Sequence, residues 1–143
     1  MLPRSQRLRA SAFTVAFQNG RVLRHPLFQL RVYRRQDGNL TVRAAFVAPK
    51  KLGKATLRNR TRRRIGERYR LSAAQHDPRL QGCDLIFLAA AAAVTADTAQ
   101  LDDAITQLLA RAAHTMDVKR APAQEGAQKG AQDETANVLR TSL

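Results

Sequence analysis

The chain has 143 residues, enough for one domain around a single core, and its only cysteine, Cys83, excludes an internal disulfide and a cysteine-based metal cluster. Its 25 Lys or Arg residues against 11 Asp or Glu residues give a formal net charge of +14. Such an excess favours a polyphosphate partner, and the longest apolar run, 85–94, is too short to cross a bilayer. We therefore expect a cytoplasmic protein that binds RNA or DNA and not a membrane.

The first predicted helix begins at Ser11, a suitable N-cap, and ends before Gly20, where a left-handed C-terminal residue is expected. Phe13 and Phe17 lie one turn apart on this helix. Such a pair usually fills a core, but two aromatic rings also stack on nucleobases. The residues by themselves leave both roles open.

Alternating apolar residues predict two strands, 27–33 and 40–48, joined as an antiparallel hairpin by the turn at Asp37 and Gly38. A short strand around 22–23 is expected before them. Arg31 and Arg43 lie on the second faces of the two strands. This placement predicts that one side of the sheet is open and basic.

The segment 50–70, KKLGKATLRNRTRRRIGERYR, contains ten basic residues and one acidic residue, Glu67. As a helix capped by Thr56 it would bury a stripe at every fourth position, formed by Leu57, Thr61, Ile65 and Tyr69. Its other faces would be almost wholly guanidinium, and like charges three or four residues apart cost roughly 0.2–0.5 kcal/mol per pair. A solvated face is the alternative, but such faces normally mix both signs, so the pattern favours a polyanion partner.

The polar segment 72–82 is predicted to be a loop or a short helical extension, and it precedes a buried strand at 84–89. The spacing of apolar residues predicts an amphipathic helix at 98–112, which we expect to be scaffold. Beyond residue 113 the composition shifts to small and polar residues. We therefore predict an RNA-binding domain at 1–113 and a disordered, low-complexity tail at 114–143.

No catalytic motif is found in the sequence. The histidines His25, His76 and His114 stand in separate segments without metal-ligand spacing, and no Gly-rich phosphate cradle or serine-centred elbow is present. Glu67 and Asp84 lie where structural ion pairs are expected. The pattern indicates a binding protein and predicts neither a catalytic residue nor a metal site in the polypeptide.

The segment 50–70 resembles the RNR signature of the bacterial ribonuclease P protein subunit, whose usual form is close to KKxGxAxxRNRxKRxxREaFR. The order of elements is also similar over about residues 7–112: a leading helix with FxxxF before a glycine, strands, the RNR helix, a strand that starts at an aspartate, and an amphipathic helix. The resemblance implies an α+β fold, a two-layer α/β sandwich like domain 2 of ribosomal protein S5. It also implies the element order αβββαβα, a mixed four-stranded sheet and a left-handed βαβ crossover.

The resemblance implies that the protein is an accessory subunit of ribonuclease P, in which RNA is the catalyst that removes the 5′ leader of precursor tRNA. Mg²⁺ would be held mainly by that RNA, and one protein monomer is expected for each ribonuclease P RNA. The residues expected to bind the catalytic RNA are Lys54, Arg58, Asn59, Arg60, Arg62, Arg63, Arg64, Arg68 and Arg70. The residues expected in a cleft for the single-stranded leader are Phe13, Phe17, Arg31, Arg43, Lys50 and Lys51.

Three departures from the family pattern affect residues expected to contact RNA. Gly66 stands where an arginine is usual, Pro49 replaces a common serine, and 90–92 are alanines where a basic residue is often found. Arg68, in place of the usual alanine, is expected to restore the charge lost at Gly66. A ribosomal or general structured-RNA-binding protein is the rival interpretation, because the same basic helix would serve it without any role in cleavage.

Overall fold

A computed structural model describes residues 2–118, which form one mixed sheet with helices on both faces. The strands are β1 (Arg21–Arg24), β2 (Phe28–Arg34), β3 (Arg43–Val47) and β4 (Cys83–Ala89). The α-helices in this part of the chain are α1 (Ala10–Asn19), α2 (Ala55–Leu71), α3 (Ala91–Thr95) and α4 (Thr98–Val118). The α+β class inferred from the resemblance is confirmed.

The last strand lies inside the sheet, whose strand order is β1-β2-β4-β3. β4 pairs antiparallel with β2 and parallel with β3, and of its residues only Leu88 is not buried. The predicted hairpin between β2 and β3 is therefore wrong, because β4 is inserted between them. A strand that is apolar on both faces is most stable between two other strands, and that preference overrode the local Asp-Gly turn signal.

The link between β2 and β3 is held down by Arg35. Its guanidinium donates to the carboxylate of Asp84 at 2.7 Å and to the carbonyl oxygens of Asn39 and Thr41 at 2.8 and 2.6 Å. Asp37 also contacts Arg35, and it accepts a hydrogen bond from the backbone amide of Asn39. The segment 35–42 thus becomes an ordered loop that returns to the sheet beside β4 instead of beside β2.

The first helix begins at Ala10 with Arg9 as its N-cap, so Ser11 is not the cap that the sequence predicts. Gly20 follows the helix with an extended backbone, φ −74°, so the left-handed expectation is also wrong. A Cβ at this position would lie 2.5 Å from the carbonyl oxygen of Ala16 and 3.3 Å from that of Val32. Gly20 is needed because the chain passes too close to its neighbours for any side chain.

The basic helix docks by the stripe that the sequence identifies. Thr61, Ile65 and Tyr69 are buried, and Tyr69 packs edge-on against the rings of Phe46 and Phe87. The helix begins earlier than predicted, with Lys54 rather than Thr56 at the N-cap. α2 connects the parallel strands β3 and β4, as the implied crossover requires.

The final helix continues past the predicted domain boundary at residue 113. α4 ends at Val118, and Met116 is only 2% exposed within the main core. Met116 extends the buried row of Leu109, Ala112 and Ala113 at helical spacing, a continuation that composition alone does not reveal. The tail prediction is therefore wrong for 114–118, and its remainder, 119–143, lies outside the described residues.

Candidate nucleic-acid interface

The outer surface of α2 is a band of exposed positive charge. The helix carries no acidic residue in its first turn, and Lys54 at its N-cap is exposed. Within 2–118, no acidic side chain pairs with Arg60, Arg62 or Arg63. Five of the nine residues expected to bind the catalytic RNA are exposed: Lys54, Arg60, Arg62, Arg63 and Arg70. This face has the charge and the accessibility that binding to a phosphate backbone requires.

Two arginines of the expected set face α3 and α4 instead. Arg64 donates to the carbonyl oxygens of Val94, at 3.3 Å, and Ala96 at the end of α3. Arg68 forms an ion pair with Asp102 of α4 at 2.7 Å. Both guanidiniums fasten α2 to the neighbouring helices, so the expectation that Arg68 replaces the charge missing at Gly66 does not fit its position.

Other residues expected to bind the catalytic RNA differ in their contacts with neighbouring side chains. Arg62 donates to the side chain of Asn59, and Arg70 pairs with Glu67 one turn earlier. The hydrogen bond from Arg70 lowers the pKa of the Glu67 carboxyl group, which therefore stays charged. Arg58 is half-buried, and its Nε has no hydrogen-bond partner within the described part of the chain.

The second predicted site lies where α1 crosses the sheet. Phe13 and Phe17 stack with their ring centroids 5.6 Å apart, and the guanidinium carbon of Arg31 lies 3.8 Å from the Phe17 centroid. Arg31 also donates to the Phe17 carbonyl oxygen at 2.9 Å and to the Gln29 side chain at 3.0 Å. Phe17 and Arg31 are both fully buried, whereas Phe13 is half-buried.

These contacts correct the expectation of an open, basic sheet face around Arg31. Arg31 supports α1 from below, and of the two phenylalanines only Phe13 is accessible at the surface. Gln29 orients Arg31, a role that was not predicted from the sequence. Its position two residues earlier on the same strand face was the available signal.

Arg43 does not join the other predicted cleft residues. It lies at the start of β3, where its Nε and Nη2 donate to the two carboxylate oxygens of Asp84, both at 2.8 Å. Asp84 is 1% exposed and accepts a hydrogen bond from Arg35 as well, so this cluster is an internal ion pair. Both structural ion pairs predicted from the sequence, at Asp84 and Glu67, are confirmed.

Lys50 and Lys51 lie beyond the opposite end of β3, in a short 3-10 turn just before α2. Both side chains are exposed, and Gly53 follows with φ 136°, a conformation that strongly favours glycine. The two lysines therefore stand between the sheet and the basic helix. Along the chain, these two lysines and exposed Lys54 lead from the end of β3 to the start of α2.

The possible metal ligands, the cysteine and the helix lengths were also informative within residues 2–118. Across 2–118, no group of three or more His, Cys, Asp or Glu side chains could hold a metal ion. Cys83 is buried, and its desolvation raises the pKa of the thiol, which therefore stays protonated. None of the helices in this part of the chain is both long and apolar enough to span a membrane.

A family model and curated relatives point to the same protein family. A family model described as Ribonuclease P matches residues 2–113. The ribonuclease P protein component of Herpetosiphon aurantiacus is 38% identical over 112 residues, covering 78% of this chain and 87% of that protein. The corresponding protein of Symbiobacterium thermophilum is 34% identical over 102 residues, covering 71% and 84%.

Solved structures share the fold. The Staphylococcus aureus RNase P protein superposes with a TM-score of 0.63 at 23% identity, covering 75% of this chain and 94% of that one. The Thermotoga maritima RNase P protein gives a TM-score of 0.63 at 24% identity, covering 73% and 96%. At this level of identity, the two structures support the arrangement of strands and helices described above.

Proposed function

This chain belongs to the ribonuclease P protein family, and from that membership we propose that it binds ribonuclease P RNA through the outer face of α2 and the 5′ leader of precursor tRNA through the cleft beside α1. The protein acts as an accessory subunit of the ribonucleoprotein endonuclease. Cleavage is carried out by the RNA. A role in tRNA maturation agrees with the cytoplasmic location expected from the sequence.

The observation that carries this proposal is the exposed guanidinium face of α2. Arg60, Arg62 and Arg63 point away from the core without an acidic partner in the described chain. Each phosphate that they contact displaces condensed counterions from the RNA, which is the main source of affinity in such complexes. Arginine also binds phosphate oxygens in a bidentate manner and stacks on bases, so it suits a folded RNA.

The proposed leader cleft combines one accessible aromatic ring with flanking positive charge. Phe13 would stack on a base of the single-stranded leader, while Lys50 and Lys51 would contact its phosphates. Phe17 and Arg31 hold the Phe13 ring in place from beneath. This combination binds single strands with little dependence on sequence, as is needed for leaders that differ between tRNAs.

The protein would assist catalysis by lowering the repulsion between closely packed phosphates. The catalytic RNA could then fold tightly and retain its Mg²⁺ at lower concentrations of the ion, and the leader contact would favour precursor over mature tRNA. Mg²⁺ is assigned to the RNA. One monomer for each RNA is the stoichiometry that a single basic face suggests.

The decisive experiment is cleavage of a precursor tRNA by the organism's own ribonuclease P RNA at low Mg²⁺, with and without this protein. We expect strong stimulation by the protein and no cleavage by the protein alone. No stimulation would leave only a structured-RNA-binding protein. Cleavage in the lane without RNA would reveal a catalytic site in the polypeptide.

A further inference from the structure

A groove separates the N-terminal segment, residues 2–9, from the side of α2 that faces β3. The segment follows the outer edge of the sheet: the Leu8 amide donates to the Ala44 carbonyl oxygen at 3.1 Å, and Arg7 bridges to Ala44 in a parallel sense. Leu2 is 5% exposed within the main core and anchors the start of the segment. The segment is therefore a fixed wall of the groove.

The opposite wall of the groove is α2, and near the middle of this helix Gly66 has no side chain to fill the space. Arg62, Arg63 and Gly66 line the groove on this side, and half-buried Phe46 of β3 lies at its floor. A Cβ on Gly66 would approach the Phe46 ring carbons Cδ2 and Cε2 at 3.4 Å. The missing side chain leaves the edge of the Phe46 ring reachable between the arginines of the rim.

The fold itself does not require glycine at this position. Gly53 has φ 136°, and a Cβ on Gly20 would clash with a carbonyl oxygen at 2.5 Å, but neither constraint applies to Gly66. Alanine would fit there in ordinary van der Waals contact, and glycine is the poorest helix former after proline. What Gly66 provides is space for another molecule to approach the helix backbone and the floor of the groove.

The chemistry of the groove matches a nucleotide. Its floor is apolar, with Ala44 and Phe46, and its rim holds the exposed arginines Arg7, Arg62 and Arg63 on both walls. Glu67 also lines the groove, and it is bound to Arg70. A flat, weakly polar base suits the floor, and the adjacent phosphates suit a rim of guanidiniums on either side.

We propose that this groove seats one unpaired nucleotide of the catalytic RNA, with its base against Phe46 at Gly66 and its phosphates between Arg7 and the arginines of α2. The inference rests on the proposed function, and it adds a base contact to an interface otherwise described by charge. It also makes the N-terminal segment the second wall of the RNA site.

The test fills the groove without changing its charge. Gly66→Met places an uncharged side chain over Phe46, and Ala110→Met, at an exposed position of α4, is the matched control. Affinity for the organism's own ribonuclease P RNA is measured by filter binding, and folding by thermal unfolding. We expect Gly66→Met to weaken RNA binding by about 5- to 150-fold, the range for loss of one stacked base.

Stability should change in the opposite direction, which separates a blocked site from a damaged fold. Replacing a mid-helix glycine raises helix propensity, so Gly66→Met and the smaller Gly66→Ala should unfold at the same temperature as the parent or higher. Gly66→Ala, which only reaches the ring edge, should weaken RNA binding less than Gly66→Met. Ala110→Met should bind RNA as tightly as the parent protein.

Chemical footprinting of the RNA at saturating protein identifies the base, with dimethyl sulfate for adenine and cytosine and a carbodiimide for uracil and guanine. We expect one unpaired base to be protected by the parent protein and reactive in the Gly66→Met complex. Equal affinity of parent and folded Gly66→Met, or reduced affinity with an unchanged footprint, would overturn the inference while leaving the proposed function intact. Failure of the parent protein to bind the RNA would instead reject the proposed function.

Discussion

The outer face of α2 and the sheet face crossed by α1 are both rich in arginine, but the arginines of the two faces differ in burial and in their partners. On the sheet face, Arg31 is fully buried beneath Phe17, and Arg35 and Arg43 share the buried carboxylate of Asp84. On α2, Arg60 and Arg63 are exposed and unpaired with any acidic side chain of the described chain. The first group holds the fold together, and the second is available to a partner.

The same division runs through α2 itself. Arg64 and Arg68 bind α3 and α4, whereas Arg60, only one turn from Arg64, faces solvent. A count of arginines in a helix therefore overestimates its binding surface. The orientation of each residue about the helix axis decides whether its charge is neutralised inside the protein or left for phosphate.

The largest effect on stability is expected at Asp84, where one carboxylate serves two guanidiniums. Asp84→Asn leaves Arg35 and Arg43 without their buried counter-charge, so the free energy of unfolding should fall by about 3–5 kcal/mol. Urea denaturation measures the loss. Asp103→Asn, at an exposed position on α4, should change stability by less than about 0.5 kcal/mol. Equal urea midpoints for the two variants would show that the buried cluster is not structural.

Neutralising the exposed arginines of α2 should weaken RNA binding and leave the stability of the fold unchanged, the opposite of the result expected at Asp84. In the triple variant Arg60→Gln, Arg62→Gln and Arg63→Gln, the slope of log affinity for ribonuclease P RNA against log salt should become shallower by about 2–3. The urea midpoint should stay the same or rise, because like charges have been removed.

The control for the triple variant is Arg24→Gln, on strand β1 at the other edge of the sheet. It should leave the salt slope within about 0.5 of the parent value. A slope unchanged in the triple variant would move the RNA interface away from the outer face of α2.

Phe13 and Phe17 of α1 should also differ in this way, with Phe13 affecting binding and Phe17 affecting stability. Phe13→Ala should reduce the preference of the assembled enzyme for precursor over mature tRNA by about 1–3 kcal/mol, the value of one stacked base, in a protein that stays folded. Phe17→Ala should instead destabilise the fold by about 3–5 kcal/mol, because that ring is fully buried against Arg31.

Val15→Ala is the control on the same helix, since Val15 is 43% exposed. Competition between precursor and mature tRNA measures the preference, and thermal unfolding measures stability. If Phe13→Ala behaves like Val15→Ala in both measurements, the aromatic cleft has no role in leader recognition.

The smallest effect concerns the buried side of α2. Burial raises the pKa of Tyr69 above its ordinary value of 10.0, and its hydroxyl has no hydrogen-bond partner among the described residues. The unfolded chain ionises this phenol near pH 10 while the folded chain keeps it neutral, so stability is intact below that pH and falls above it.

Tyr69→Phe removes this titration and, with no hydrogen bond to lose, should be nearly neutral at pH 7. At about pH 10.5 the variant should retain about 1 kcal/mol more of its neutral-pH stability than the parent, by urea denaturation at each pH. Parallel losses in both proteins would assign the alkaline instability to other groups.

Much of this protein follows from local pattern alone. The spacing of Thr61, Ile65 and Tyr69 identifies the buried stripe of α2, and the apolar run after Asp84 identifies the strand at the centre of the sheet. The RNR signature at 50–70 identifies the family. These features are encoded in residues close together in the sequence, because helical and strand periodicity are properties of single segments.

Only the tertiary structure decided which strands are neighbours and which charges are free. β4 separates β2 from β3, although the Asp-Gly turn indicated a hairpin, and Asp84 brings Arg35 and Arg43 together across 41 to 49 residues of sequence. The groove at Gly66 likewise needs β3, α2 and the N-terminal segment in one place. Pairing and burial depend on which distant segments meet, so the sequence determined the binding helix and the fold determined which of its arginines can bind.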